Sequence, residues 1–234
     1  MFQFKQFSVD QSGCAMKINT DGVLLGAIAT AGNPAAVLDI GTGTGVIALM
    51  LAQRFVEARV DAVEIDPGAV QTAGRNFQGS VFASRLNIYA SGFETYFDRF
   101  PDNKYDLIVS NPPFYINSLK SPVVKKVLAK HSDVDLFERL INGVSQHLTS
   151  GGSFWLILPV NIGEIVISLA KKYKLYSKEL INIYSYTHSQ PHRVIICLGF
   201  DDASPQKGKL TIYQSAGVYS EQYQKLLQPY FIAF

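Results

Sequence analysis

Residues 38–45 read Leu-Asp-Ile-Gly-Thr-Gly-Thr-Gly, and the fold turns on how this octapeptide is understood. It continues Ala35-Ala-Val, an apolar run of strand length, and leads into Val46-Ile-Ala-Leu-Met-Leu-Ala-Gln53, which has helical length and composition. In an open parallel sheet, ligands bind beyond the carboxyl ends of the strands at the topological switch point. Glycines there let the backbone approach a ligand, and the helix N-terminus beyond favours a negative group. A tight turn holding no ligand is the plainer alternative, which three alternating glycines make less attractive. A dinucleotide GxGxxG does not fit, because the sixth position counted from Gly41 is Val46. GxxxxGK[ST] is absent as well, which excludes a P-loop on motif.

Outward from the glycines the pattern repeats. Arg59-Val-Asp-Ala-Val-Glu-Ile-Asp66 reads as a second strand, and Pro67 suits the first turn of a helix running to about Asn76. Asn87–Ala90 and Tyr105–Ser110 are the third and fourth strands. From Asp133 to Leu148, apolar residues at three- and four-residue steps predict an amphipathic helix capped by Ser132 or Asp133. Gly152–Pro159 is a fifth strand and Asn161–Lys172 a helix. Leu180–Tyr186 and Val194–Phe200 then follow as two strands with only a short polar segment between them. Alternation of strand and helix predicts an α/β fold, Rossmann-like, with a mostly parallel sheet covered on both faces. The helix-free pair predicts an antiparallel hairpin at one edge. Residues 1–34 form a flank before a main domain over 35–234, and Asp201–Gly208 is a surface loop.

Composition narrows the function classes. The 234 residues are 47% hydrophobic and 17% charged, enough for one sizeable core. No apolar run reaches membrane-span length, and the first residues lack the basic-then-apolar layout of a secretory signal. Two cysteines, Cys14 and Cys197, are too few for a disulfide framework, and the four histidines show no ligand spacing. No metal and no membrane partner are therefore expected, and the chain is expected to be cytoplasmic. A net charge of +2 permits nucleic acid as a partner without demanding it. Residues 120–130 carry four lysines and no acid.

Two further features carry chemistry. Glu64 ends the second strand, where a carboxylate can accept both hydroxyls of a ribose. In register with the glycine loop it points to a nucleoside cofactor rather than a pyrophosphate. Ser110-Asn-Pro-Pro-Phe114 ends the fourth strand with a rigid corner. Taken alone, it is either a proline-stiffened turn or a pair of fixed acceptors. Asn111 offers a side-chain oxygen, and Pro112 a carbonyl with no N–H of its own. Proline at 112 pushes Asn111 towards an extended conformation, and each ring fixes φ near −65°.

Together these motifs resemble the class I S-adenosylmethionine-dependent methyltransferases. LDIGTGTG is similar to their glycine motif, VEID to their ribose-binding acid, and SNPPF to the [D/N/S]-P-P-[Y/F/W] signature of enzymes that methylate amide or amine nitrogens. The resemblance spans residues 35–200 and implies a mostly parallel seven-stranded sheet. Phe4-Lys-Gln-Phe7 and Cys14-Ala-Met-Lys-Ile-Asn-Thr-Asp-Gly-Val-Leu-Leu-Gly-Ala27 resemble the bacterial tRNA adenine-37 N6-methyltransferases that act on valine tRNA. That resemblance implies methyl transfer from S-adenosyl-L-methionine to N6 of an adenine in tRNA; separately, a monomer is expected.

The resemblance assigns catalysis to Asn111, Pro112, Pro113 and Phe114, with Phe114 stacking on the base. It assigns the cofactor to Gly41, Gly43, Gly45, Asp39 near its amino group, Glu64, Ile65 and Asn111, with Lys17, Thr20 and Asp21 closing the site. The family often has an acid after the third strand; here Tyr89-Ala-Ser-Gly-Phe-Glu94 has none at the aligned position, and either Ser91 or the backbone takes its place. Lys120, Lys125, Lys126, Lys130 and His131 are candidates for RNA contacts. Three other functions share parts of these motifs. A release-factor-type glutamine N5-methyltransferase usually has a helical domain before the sheet, and only about 34 residues precede it here. Another rRNA or DNA adenine N6-methyltransferase would keep the chemistry and change the polymer. A binding module without catalysis would not need Asn111–Phe114.

Overall fold

The computed structural model describes the backbone of residues 1–113 and 124–234, and the side chains of residues 1–113 and 134–234. A small antiparallel ribbon, β1 (Phe2–Gln3) with β2 (Ser8–Val9), leads into α1 (Thr20–Ile28), which Asn19 caps by accepting the Gly22 amide at 2.9 Å. Helix α1 escapes periodicity analysis because Gly22–Ala27 are all buried, leaving no polar stripe to reveal a helical period.

Strand and helix then alternate: β3 (Ala36–Ile40), α2 (Val46–Arg54), β4 (Arg59–Glu64), α3 (Pro67–Gln78), β5 (Leu86–Ala90), α4 (Phe93–Arg99), β6 (Tyr105–Ser110), α5 (Val124–His147), β7 (Leu148–Leu158) and α6 (Val160–Ala170). All but α4 follow the sequence reading, which marks no helix between the third and fourth strands. Pro67 opens α3, and Asp66 caps it by accepting the Ala69 amide at 2.7 Å. The chain ends with β8 (Tyr176–Tyr184), β9 (Pro191–Gly199), β10 (Gln206–Thr211), the hairpin β11 (Tyr213–Ser215) and β12 (Val218–Tyr219), and α7 (Glu221–Leu227).

The main sheet has the order β10-β8-β9-β7-β6-β3-β4-β5, with only β9 antiparallel to its neighbours. It has eight strands rather than seven. The extra strand, β10, uses the last residues of the segment expected to be a loop, and pairs parallel to β8 beyond the hairpin. Helix α5 starts at Val124, so Ser132 and Asp133 lie inside it and neither caps it. The Val-Lys-Lys-Val-Leu-Ala-Lys stretch supplies no breaker to stop the helix from extending back that far.

Alternate side chains of the strands feed two cores, one on each face of the sheet. Val37, Leu107, Val109, Trp155 and Ile157 face the layer containing α1 and α2. Leu38, Ile40, Ile108, Phe154 and Leu156 face α4, α5 and α6. Phe4, Phe7 and Val9 of the flank belong to the first core, so residues 1–34 pack as part of it. Among the described residues, no helix is long and apolar enough to cross a membrane.

Candidate active site

Strand β3 stands between β4 and β6, where the strand order reverses, and the site is built at its carboxyl end. Gly41, Gly43 and Gly45 have φ values of 73°, 57° and 83°, the left-handed region that side chains resist. The Gly41 and Thr42 amides donate to the Val63 carbonyl at 2.8 and 3.2 Å, folding the loop over the end of β4. A Cβ on Gly45 would stand 2.5 Å from Phe77 Cε1, so that glycine answers to packing. At Gly41 and Gly43 nothing lies within 4 Å of the Cβ position, and both line a cavity.

Asp39 is fully buried beneath this loop and is not among the lining residues. Its Oδ2 accepts the Thr42 hydroxyl at 2.6 Å, while Oδ1 has no partner. Burial pushes its carboxyl up to about 7, against the lowering effect of the Thr42 hydroxyl and the Ala48 amide. Asp39 thus holds the glycine loop from below.

Glu64, at the end of β4, lines the cavity and is nearly buried. Oε2 accepts the Gly43 amide at 2.9 Å, and Oε1 accepts the Ile65 and Asp66 amides at 2.8 and 2.9 Å. Three backbone donors fill most of the roughly four acceptor positions of a carboxylate. The side chain is rigidly aimed, and binding two hydroxyls of a diol requires Oε2 to share or release the Gly43 amide.

The opposite wall comes from β6. Ser110 pairs with Ile40 in the ladder, and its Oγ donates to the Ile40 carbonyl at 2.9 Å. That register fixes Asn111, Pro112 and Pro113 beside the glycine loop, all three lining the same cavity. The cavity is about 460 Å³, within the range of small-molecule sites. Its remaining walls include Cys14, Ala15 and Met16 of the flank, Ile65, Ser91, Phe93 and Glu94, and Leu136 and Leu140 of α5.

The flank reaches the cavity by a different part than expected. Lys17 is exposed and does not line it, and Thr20 is the first residue of α1. Asp21 forms an ion pair with Arg193 of β9 at 2.8 Å and lies outside the cavity wall. Cys14, Ala15 and Met16 close the cavity instead; burial pushes the Cys14 thiol up, so it presents a neutral wall. Asn76 of α3 ties this strap down. Its Oδ1 accepts the Asp10 amide at 2.8 Å, and its Nδ2 donates to the carbonyls of Asp10 and Thr44 at 2.9 and 2.8 Å.

Ser91 lines the cavity, its amide on the Glu64 carbonyl and its hydroxyl on the Gly92 carbonyl, both at 2.9 Å. The stretch does contribute an acid, one turn further along. Glu94, in the first turn of α4, lines the cavity and pairs with Arg139 at 3.1 Å. Its position within a helix start, rather than at the strand end, hid it from motif alignment. Leu136 and Leu140 read in sequence as ordinary core positions, and nothing there marks them as cavity wall. Phe114, Lys120, Lys125, Lys126, Lys130 and His131 lie outside the residues whose side chains are described. Among the described residues, no group of His, Cys, Asp and Glu could hold a metal ion.

Residues 19–176 match the family model described as the methyltransferase small domain. The chain is 47% identical over 233 residues to the tRNA1(Val) (adenine(37)-N6)-methyltransferase of Pedobacter heparinus, covering 100% of this chain and 98% of that protein. It is 40% identical to the enzyme of the same name from Porphyromonas gingivalis, covering 99% of this chain and 94% of that protein. Among solved structures, a predicted O-methyltransferase from Agrobacterium tumefaciens is similar in fold. Its TM-score is 0.69 at 16% identity, over 90% of this chain and 96% of that one.

Proposed function

The chain belongs to the methyltransferase small domain family, and from that membership we propose that it methylates the exocyclic N6 of an adenine in tRNA, A37 of valine tRNA, using S-adenosyl-L-methionine. The observation that carries this is the Ile40–Ser110 register, which sets Asn111, Pro112 and Pro113 on the rim of the cavity lined by Gly41, Gly43 and Glu64.

The residues present fit the cofactor. Gly41 and Gly43 leave the loop open where any side chain would intrude, and Glu64 offers a rigid acceptor for a ribose. When bound, S-adenosylmethionine supplies an electrophilic methyl group on a sulfonium. Ile65 and Ser91 would flank its adenine, and Cys14, Ala15 and Met16 would keep water from it. Asp39, which has no surface on the cavity, serves by holding the loop.

An adenine N6 is a poor nucleophile because its lone pair is delocalised into the ring. The Asn111 side-chain oxygen and the Pro112 carbonyl can accept its two N–H hydrogens. That favours a pyramidal nitrogen with its lone pair free to attack. The proline corner fixes both acceptors before substrate arrives, which is electrostatic preorganisation. The amine sheds its proton after the new N–C bond forms, so no strong general base is needed. Base flipping brings the adenine to this rim, and the resemblance gives Phe114 the stacking role.

A tRNA substrate also supports a cytoplasmic location. The test is transfer of labelled methyl from S-adenosylmethionine to unmodified valine tRNA, followed by nucleoside analysis. N6-methyladenosine confined to position 37 is the expected result. Label appearing instead in release factor with none in tRNA would overturn the assignment.

A further inference from the structure

Beyond the cavity, one feature of the sheet has no part in the chemistry: a column of aromatic rings at the β8–β10 end. His188 and Tyr186 stack at 5.8 Å and 14°, and Tyr186 meets Tyr213 at 5.6 Å and 34°. Tyr213 stacks on Tyr219 at 5.1 Å and 19°, and Tyr219 on Tyr223 at 4.8 Å and 14°. The column is anchored at one end, where Tyr223 is 3% exposed, and its other end, His188, is exposed. Its outer turn is set by Ser189, whose hydroxyl accepts the Tyr186 amide at 3.0 Å and donates to the Tyr186 carbonyl at 2.8 Å.

Topology puts this column on the same edge of the sheet as Asn111. Leu158, ending β7, pairs with Val194 near the start of β9, and Ile183, near the end of β8, pairs with Arg193. The Ile212 and Tyr213 amides extend the β10–β8 pairing by donating to Tyr184 and Ser185. Strands β8 and β10 stand three and four places from β6 in the sheet, roughly 14–19 Å at ordinary strand spacing. The surroundings suit a polyanion. Residues 184–193 and 209–220 contain no acid, and Lys209 Nζ lies 4.5 Å over the Tyr184 ring. Asp21 is held by Arg193, and Glu221 opens α7 at the far, buried end of the column.

We propose that the exposed end of this column, His188 on Tyr186 and Tyr213, stacks an unpaired nucleotide of the RNA a few positions from the methylated adenine, with Lys209 beside its backbone. The proposal rests on the RNA-methylating function argued above. A stack that ends in an exposed ring is extended by any base, since every base has a π-face, and single-stranded recognition in RNA uses such platforms. Here His188 already stacks on Tyr186, which packs tilted against Tyr213, so the platform is ordered before RNA arrives.

The test compares wild type, His188→Ala and His188→Phe in two assays: methyl transfer to a valine tRNA transcript, and binding of a single-stranded RNA hexamer carrying 2-aminopurine, read as quenching. His188→Ala should raise the KM for tRNA about tenfold and weaken hexamer binding similarly, with kcat and cofactor affinity unchanged. His188→Phe should restore both. If wild type methylates valine tRNA but neither assay responds at position 188, the platform is overturned, the function stands, and the column merely holds the β11–β12 hairpin. If wild type leaves valine tRNA unmethylated while hexamer binding still needs a ring at 188, the platform stands and the assigned substrate falls. Loss of both overturns both.

Discussion

Replacing Asp39 by asparagine should change the stability of the protein in a way that depends steeply on pH. Asp39 is fully buried, with one oxygen on Thr42 and the other unpartnered. Burial raises its carboxyl from 3.8 to about 7, and the nearby Glu64 adds to the rise. The folded protein therefore holds this proton more tightly than the unfolded chain does. The residue's contribution to stability is full below about pH 4, shrinks as pH rises, and is lost once pH passes about 7. At 1.36 kcal/mol per pH unit over about three units, the loss approaches 4 kcal/mol. The asparagine amide has no proton to lose in this range and still accepts the Thr42 hydroxyl, so the variant's stability lacks this slope. Urea unfolding of both proteins at pH 5, 6.5 and 8 isolates the effect, because any fixed packing cost of the amide cancels. The variant should gain on wild type by about 3 kcal/mol between pH 5 and 8. A gap that is constant across the three values would refute the buried-acid account.

Other substitutions separate loop, cradle and catalysis. Asn111→Ala should lower kcat by about 10²–10³-fold while leaving cofactor affinity, measured by calorimetry, near wild type. Glu64→Gln turns an amide donor towards at least one of three backbone N–H groups, and should weaken cofactor binding about 10–100-fold by calorimetry. Gly45→Ala combines left-handed strain with a 2.5 Å clash on Phe77, so urea unfolding should show a loss of about 2–5 kcal/mol. Gly41→Ala meets open space and carries only the strain, about 1–2 kcal/mol, but its methyl enters the cavity and should impair cofactor binding.

The glycine loop, Glu64 and Asn111 are legible in sequence because each is local. A strand, its turn and the next helix sit side by side in the chain, and Glu64 and Asn111 both sit at strand ends that parallel pairing brings to one edge. Tertiary placement is harder to see. Asp39 looks like a ligand contact in sequence, yet its side chain turns beneath the loop onto Thr42. Asp21 looks like part of a lid, but its partner Arg193 is 172 residues away. Cys14–Met16 and the α5 leucines carry no chemical signature, since a cavity wall needs only shape. The eighth strand was hidden for a related reason. Gln206-Lys-Gly-Lys-Leu-Thr211 is mostly polar, as an edge strand can be, and its backbone pairing with β8 leaves no apolar alternation to detect.

The Asn76 side chain, with its oxygen and both its N–H groups engaged, has a consequence for recombination between relatives. Its amide joins Asp10 of the flank and Thr44 of the glycine loop from a third element, α3. A chimera that exchanges residues 1–34 alone keeps the amide but must present it with an identically placed backbone at position 10. Otherwise two of its hydrogen bonds are broken in a partly buried place, at up to about 1–3 kcal/mol for each group left unpaired. The transferable unit is therefore flank, loop and α3 together, three segments separated in sequence that act as one mechanical part.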